Sequence, residues 1–239
     1  MSKDTDRRAF LKGSVLLPAL GAAACSPPAT HQDDLAASAP AAATPAAADY
    51  KPAFFTPAEW AFVQAACARL IPNDANGPGA LELGVPQFID RQMGTPYGAA
   101  AAWYMQGPFF EGKPEFGYQS QLTPKQQYRL GIRAIDAWCA KTHGKVLADL
   151  DAKTQDDVLK QVEAGKVKSD DLPLDVFFTA FLLKNVMEGY FGDPMYGGNR
   201  DMAAWKMIGH PGARADFLEW VDKPAAYPYG PVDLHGRQA

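Results

Sequence analysis

Between Trp60 and Ile71 the apolar positions Trp60, Val63, Cys67, Leu70 and Ile71 fall three or four apart, the spacing that lines one face of an α-helix. Thr56-Pro57-Ala58-Glu59 precedes them as a capping box with proline at the first helical position, and Pro72 stops the run. The same start recurs at Thr123-Pro124-Lys125-Gln126, with glutamine in the glutamate's role. Behind it, Tyr128, Ile132, Ile135 and Cys139 predict a helix reaching Lys141. Val85–Met93 predicts a shorter helix with Phe88, Ile89 and Met93 on one side, and Thr154–Ala164 another through Val158, Leu159 and Val162. Pro173–Tyr190 is a long apolar run whose Phe177, Phe178, Phe181, Leu182 and Met187 predict a central helix. No stretch shows the period-two alternation of a half-buried strand. The expected fold class is therefore all-α: a single helical domain with long irregular connections.

Those connections hold most of the glycine, proline and aromatic residues. Residues 73–84 read as a loop by composition, and 106–121 as another, carrying Gly107-Pro108-Phe109-Phe110 and Pro114-Glu115-Phe116-Gly117-Tyr118. Loops this apolar either fold over a satellite core or mark a partner surface, so Phe109 and Phe110 are candidate interface residues.

Upstream of the first helix the pattern changes character. Arg7-Arg8 stands before Phe10-Leu11-Lys12, and the run from Gly13 to Ala24 has no charge and no polar face. It falls below the roughly 18 residues that span a bilayer. Residues 1–24 read as a twin-arginine signal peptide, with Arg7, Arg8, Phe10 and Leu11 as its recognised positions and the twin-arginine translocase as its reader. Ala22-Ala23-Ala24-Cys25 with Leu20 upstream is close to a lipobox, although Ala22 stands where leucine is usual. Lipidation of Cys25 and simple cleavage after Ala24 are both open. Residues 25–49, rich in Ala and Pro and free of aromatic rings, read as a disordered tether, and the folded domain as 50–239. The expected location is the periplasm, on the outer face of the inner membrane through partners or a lipid on Cys25.

Charge and motifs narrow the function. Without residues 1–24 the chain carries 19 basic and 25 acidic side chains, a net charge of −6, which disfavours a nucleic-acid partner. Cys67 and Cys139 would meet an oxidising compartment, where a disulfide between them is allowed; two buried thiols on separate helices are the other reading. No dinucleotide-binding glycine pattern, haem-attachment pair, zinc spacing or nucleophile elbow occurs, so neither a catalytic group nor a cofactor is expected in this chain.

One dense constellation remains, from Glu188 to Gly212. Asp193-Pro194 and Gly197-Gly198 predict tight turns, Asn199 can cap a short helix, and Gly209 with Pro211 ends that helix after Ile208. The simplest picture is a braced, aromatic-lined turn in which Arg200 pairs with a nearby acid. The competing picture is a free-standing periplasmic lipoprotein, enzyme or ligand-binding protein, that uses Glu188, Asp193, Arg200 and His210 as a pocket.

The stretch from Glu188 to Gly212, its Gly197-Gly198-Asn199-Arg200 core above all, resembles the signature of the gluconate 2-dehydrogenase subunit 3 family. Phe55-Thr56-Pro57-Ala58-Glu59-Trp60, Leu70-Ile71-Pro72-Asn73-Asp74 and Gly77-Pro78-Gly79-Ala80 agree with it. The resemblance implies a non-catalytic small subunit of a three-part complex. Its companions would be a large FAD-containing dehydrogenase of the glucose-methanol-choline type, acting on a sugar or polyol, and a multihaem cytochrome c that holds haem c. It also implies that this subunit supports maturation and co-export of the flavoprotein. Asp193, Tyr196, Asn199, Arg200 and Trp205 join Phe109 and Phe110 as candidate interface residues.

Overall fold

The computed structural model describes residues 50–110, 112–116, 118–225 and 227–239, all within one compact unit. The signal, Cys25 and the tether lie outside the described residues. Helices α1 (Pro57–Leu70), α2 (Val85–Met93), α3 (Pro124–His143) and α4 (Ala152–Glu163) are followed by a long central helix. The central helix begins as α5 (Leu174–Phe177), widens into a π-helical segment (Phe178–Leu183) and resumes as α6 (Lys184–Phe191). A short α7 (Ala203–Ile208) comes last. Among the described residues no strand forms, only isolated bridges, so the fold is all-α.

Both predicted capping boxes are present. The Thr56 backbone N–H donates to Glu59 Oε2 at 2.8 Å, and Thr123 N–H donates to Gln126 Oε1 at 2.8 Å. α3 runs two residues past Lys141 because Gly144, at φ 74°, provides the left-handed cap that ends it. α4 starts before Thr154 because the Asp151 side chain accepts from Thr154 N–H, moving the N-cap upstream.

The π segment explains how one long helix keeps a single buried face. Phe177 and Phe178, Phe181 and Leu182, Asn185 and Val186, Gly189 and Tyr190 are all buried, in pairs four residues apart. Each step of four advances an α-helix by about 400°, roughly 40° beyond a full turn. Three steps would rotate the last pair about 120° off the core. The extra residue taken up by a π turn removes roughly 100° of that drift and returns Gly189 and Tyr190 to the same face as Phe177.

Two glycines let neighbours approach this face. A Cβ on Gly131 of α3 would stand 2.5 Å from the Phe177 ring, and one on Gly189 would stand 2.7 Å from the Phe88 ring of α2. Asn185 lies between them with no exposure, accepting from Tyr128 Oη at 2.9 Å and donating to Glu188 Oε2 at 2.8 Å. The core polar group is thus satisfied at both ends.

Polar ties fix the periphery. The buried Asp90 carboxylate of α2 accepts from Tyr50 Oη at 2.8 Å and from the backbone N–H groups of Ala53, Phe54 and Phe55 at 2.8–3.0 Å. Burial and this carboxylate push the Tyr50 hydroxyl up to about 12. Arg69 of α1 grips Asp156 of α4 through two bonds of 2.7 and 2.9 Å.

Two outcomes follow. Gly131→Ala should lower unfolding free energy by about 1–3 kcal/mol through overpacking against Phe177, measured by urea denaturation. The Arg69 guanidinium holds Asp156 below its ordinary carboxylate value. Its contribution is therefore full above about pH 4 and fades as pH falls through the lowered folded value. With a third of the Asp156 side chain exposed, Asp156→Asn should cost no more than about 1 kcal/mol at pH 7. That difference from wild type should shrink in melts below about pH 4.

Candidate functional site

The constellation after α6 is a knot of backbone turns held by buried polar side chains. Asp193, mostly buried, opens it by accepting from Met195 N–H through Oδ1 at 2.9 Å, which shapes the single turn Pro194–Tyr196. Gly197, at φ 98°, lies against the Arg91 guanidinium with no room for a Cβ, and Gly198 lies equally close to the Gly189 carbonyl. The chain then passes through three left-handed residues that are not glycine: Asn199, Asp201 and Met202, at φ 42°, 57° and 53°. Each costs on the order of 1–3 kcal/mol and persists only where the surroundings demand it.

Asn199 supplies that demand. It is wholly buried; its N–H donates to Gly189 O at 2.9 Å, its Nδ2 to Gly192 O at 2.9 Å, and its Oδ1 accepts from Ala204 N–H at 3.0 Å. One side chain therefore joins the carbonyl end of α6 to the amide end of α7, satisfying a free group of each. Trp205 is also buried and donates from Nε1 to Phe191 O at 2.6 Å.

Arg200 differs from expectation. Its guanidinium donates to the Glu82 carbonyl at 3.1 Å and its backbone N–H to Leu83 O at 3.3 Å, rather than to an acidic side chain. The loop before α2 brings one carbonyl, that of Glu82, to Nη1, while Nη2 is buried without a hydrogen-bond partner. The other residues of the competing pocket engage separate partners. Glu188 is exposed and bonds Asn185, Asp193 bonds Met195 and Leu234, and His210 meets Trp205 edge to face at 5.1 Å between centroids. Met195, Tyr196 and Ile208 point outward, each 43–55% exposed.

This stretch lies within the region that carries the family assignment. The profile described as gluconate 2-dehydrogenase subunit 3 matches residues 57–212. The chain belongs to that family. No curated protein and no solved structure matches it. The family match ends at Gly212, where a C-terminal strap begins. Ala213 N–H donates to Val232 O at 2.7 Å, and Leu234 N–H donates to Asp193 Oδ2 at 2.8 Å, so one carboxylate serves both the family turn and the strap. The strap's Trp220, Tyr227 and Tyr229 pack edge to face with Arg214 over two of the rings. Sequence reading missed this contact, since nothing in the spacing of Asp193 and Leu234 links them.

The aromatic loop forms a second feature. Trp103 packs on Tyr118 at 5.0 Å between centroids, and Tyr118 packs on Phe181 of the π segment at 5.4 Å. Above them lies a cleft of about 460 Å³ bordered by Trp103, Tyr104, Pro108, Phe109, Phe110 and Tyr118. Phe109 is 39% exposed and Phe110 75%. Cys67 and Cys139 are buried and unbonded; burial pushes the Cys139 thiol up to about 12 and the Cys67 thiol further. No group of three or more His, Cys, Asp or Glu side chains converges as a metal site among the described residues, nor is any helix there long and apolar enough to cross a membrane.

Asn199→Ala should strand the Gly192 carbonyl and the Ala204 amide and leave alanine in a left-handed turn. A loss of about 3 kcal/mol in urea melts is expected, with Asn199→Gly recovering only the backbone part.

Proposed function

We propose that this chain is the non-catalytic small subunit of a periplasmic flavin-dependent dehydrogenase complex acting on a sugar or polyol, and that it carries the flavoprotein subunit through twin-arginine export. Family membership supports a dehydrogenase complex with a larger subunit. The observation that carries the structural side is the use of the signature's polar atoms. Asn199, Asp193 and Trp205 spend them on internal hydrogen bonds, while Met195, Tyr196 and Ile208 face outward. An outward apolar surface on a rigid, internally braced turn suits docking.

In this reading FAD belongs to the large partner and haem c to a multihaem cytochrome partner. The large subunit folds around its flavin in the cytoplasm and leaves bound to this chain, which supplies Arg7-Arg8 as the address. Phe109, Phe110, Tyr196 and Arg200 lie where a partner reaches them; Asp193, Asn199 and Trp205 serve the same interface from beneath. Cys25, if lipidated, adds an anchor on the membrane surface.

Replacing Arg7 and Arg8 together by lysine should leave the flavoprotein in the cytoplasm, with at least a tenfold loss of periplasmic dehydrogenase activity in fractionated cells. Undiminished periplasmic activity in that variant would sink the export role.

A further inference from the structure

The chain beyond Gly212 is held by different forces from the domain before it. The hydrophobic core runs from Phe55 to Ala204, and no described side chain of residues 213–239 joins it or packs against it. Within that strap only Pro231 and Asp233 are buried among the described residues, while Leu218, Val221 and Leu234 stand in solvent. A segment with few buried apolar contacts and exposed hydrogen bonds opens at a lower free energy than a packed core.

The strap is nonetheless knit to itself. The Asp233 carboxylate, with no exposure, accepts from the backbone N–H groups of His235 and Arg237 at 2.9 and 2.8 Å and from Arg237 Nε at 2.6 Å. Ala239 N–H donates to Pro231 O at 3.1 Å, and Arg214 Nη2 donates to Gly230 O at 3.0 Å while its guanidinium covers Tyr227 and Tyr229. The ties to the rest of the domain are fewer. Beyond the hinge at Gly212, hydrogen bonds among the described residues reach it at two points: Val232 N–H to Pro211 O at 3.2 Å, and Leu234 N–H to Asp193 Oδ2 at 2.8 Å. Gly212 itself, at φ 76°, leaves no room for a Cβ against the Val232 carbonyl, so the strap folds back directly over its own hinge.

We propose that residues 213–239 are a latch: they open as one piece about Gly212 without unfolding the helical domain, and their closure, through Leu234 N–H on Asp193, holds the strained family turn in place. Asp193 shapes the start of that turn with Oδ1 on Met195 N–H and takes the strap with Oδ2. Opening removes the second donor, so the carboxylate is free to rotate and Met195 N–H loses a fixed acceptor. Asn199, Asp201 and Met202 lie downstream in left-handed conformations that persist only while their surroundings enforce them. The rigidity of the family turn is therefore set in part by a segment outside the region that the family shares. The device is independent of the export role.

Residue-resolved hydrogen exchange by NMR on the full-length chain tests both halves. In the wild type the amides of Val232, Leu234 and Arg237 should share one protection factor, at least about a hundredfold below that of amides inside α3. Leu234→Pro removes the donor to Asp193 and should lower the protection of Met195, Asn199 and Ala204 at least about tenfold, with α3 unchanged. Leu234→Ala keeps the N–H and trims an exposed side chain, so the turn should stay as in the wild type. Strap amides protected as strongly as α3 would overturn the latch. So would a Leu234→Pro chain whose turn keeps its protection, or one in which α3 loses as much as the turn does. An equal loss in Leu234→Ala would overturn the role given to the amide.

Discussion

A single buried stripe on the central helix must face the core from Phe177 to Tyr190, and the remaining elements are placed by how they meet it. Its pairs recur every four residues, a period that a regular α-helix cannot hold on one side. The π turn between Phe178 and Leu183 reconciles the two. Because the stripe stays in phase, α3 meets it at Gly131 and α2 at Gly189, the aromatic loop rests on Phe181, and the family turn closes on the Gly189 carbonyl. A drift of 120° would have turned Gly189 away from both Phe88 and Asn199.

The family turn is a consequence of that phase. Asn199 reaches one carbonyl and one amide only because the end of α6 and the start of α7 arrive at hydrogen-bonding distance. The strain in Asn199, Asp201 and Met202 is then held by packing from three sides: Arg200 on the loop before α2, Trp205 under Phe191, and the strap on Asp193. A turn so restrained holds Tyr196 and Ile208 in a fixed geometry, which would lower the entropy cost of the docking proposed for it.

The two ends of the domain converge on the same region. Asp90 gathers four donors from the arm that begins at Tyr50, and Arg91 beside it covers the Tyr50 ring at 5.6 Å while abutting Gly197. Arg91 therefore links the Tyr50 ring to the signature turn. The C-terminal strap reaches that turn through Asp193. The arm at Tyr50, through Arg91, and the C-terminal strap, through Leu234, thus both brace the family turn.

Local chemistry was legible in the linear order of residues. The two Thr-Pro starts, the apolar stripes and the glycine-rich signature each act within four or five positions, so spacing determined the helical class and most helix limits, and the signature's resemblance pointed to the family. The period of four in the central run includes Asn185 and Gly189 and excludes Met187, which is half exposed, so it became visible only in the folded structure. Tertiary structure alone decided what the signature residues do. Whether Asn199 caps, Arg200 pairs with an acid or a carbonyl, and Asp193 faces solvent or Leu234 depends on groups between 5 and 118 positions away. The same holds for the Trp103 cleft, whose floor comes from Tyr118 and Phe181. Hydrogen bonds and ring contacts reach only a few ångströms, and no pattern along the chain states which distant atoms folding will bring within that range.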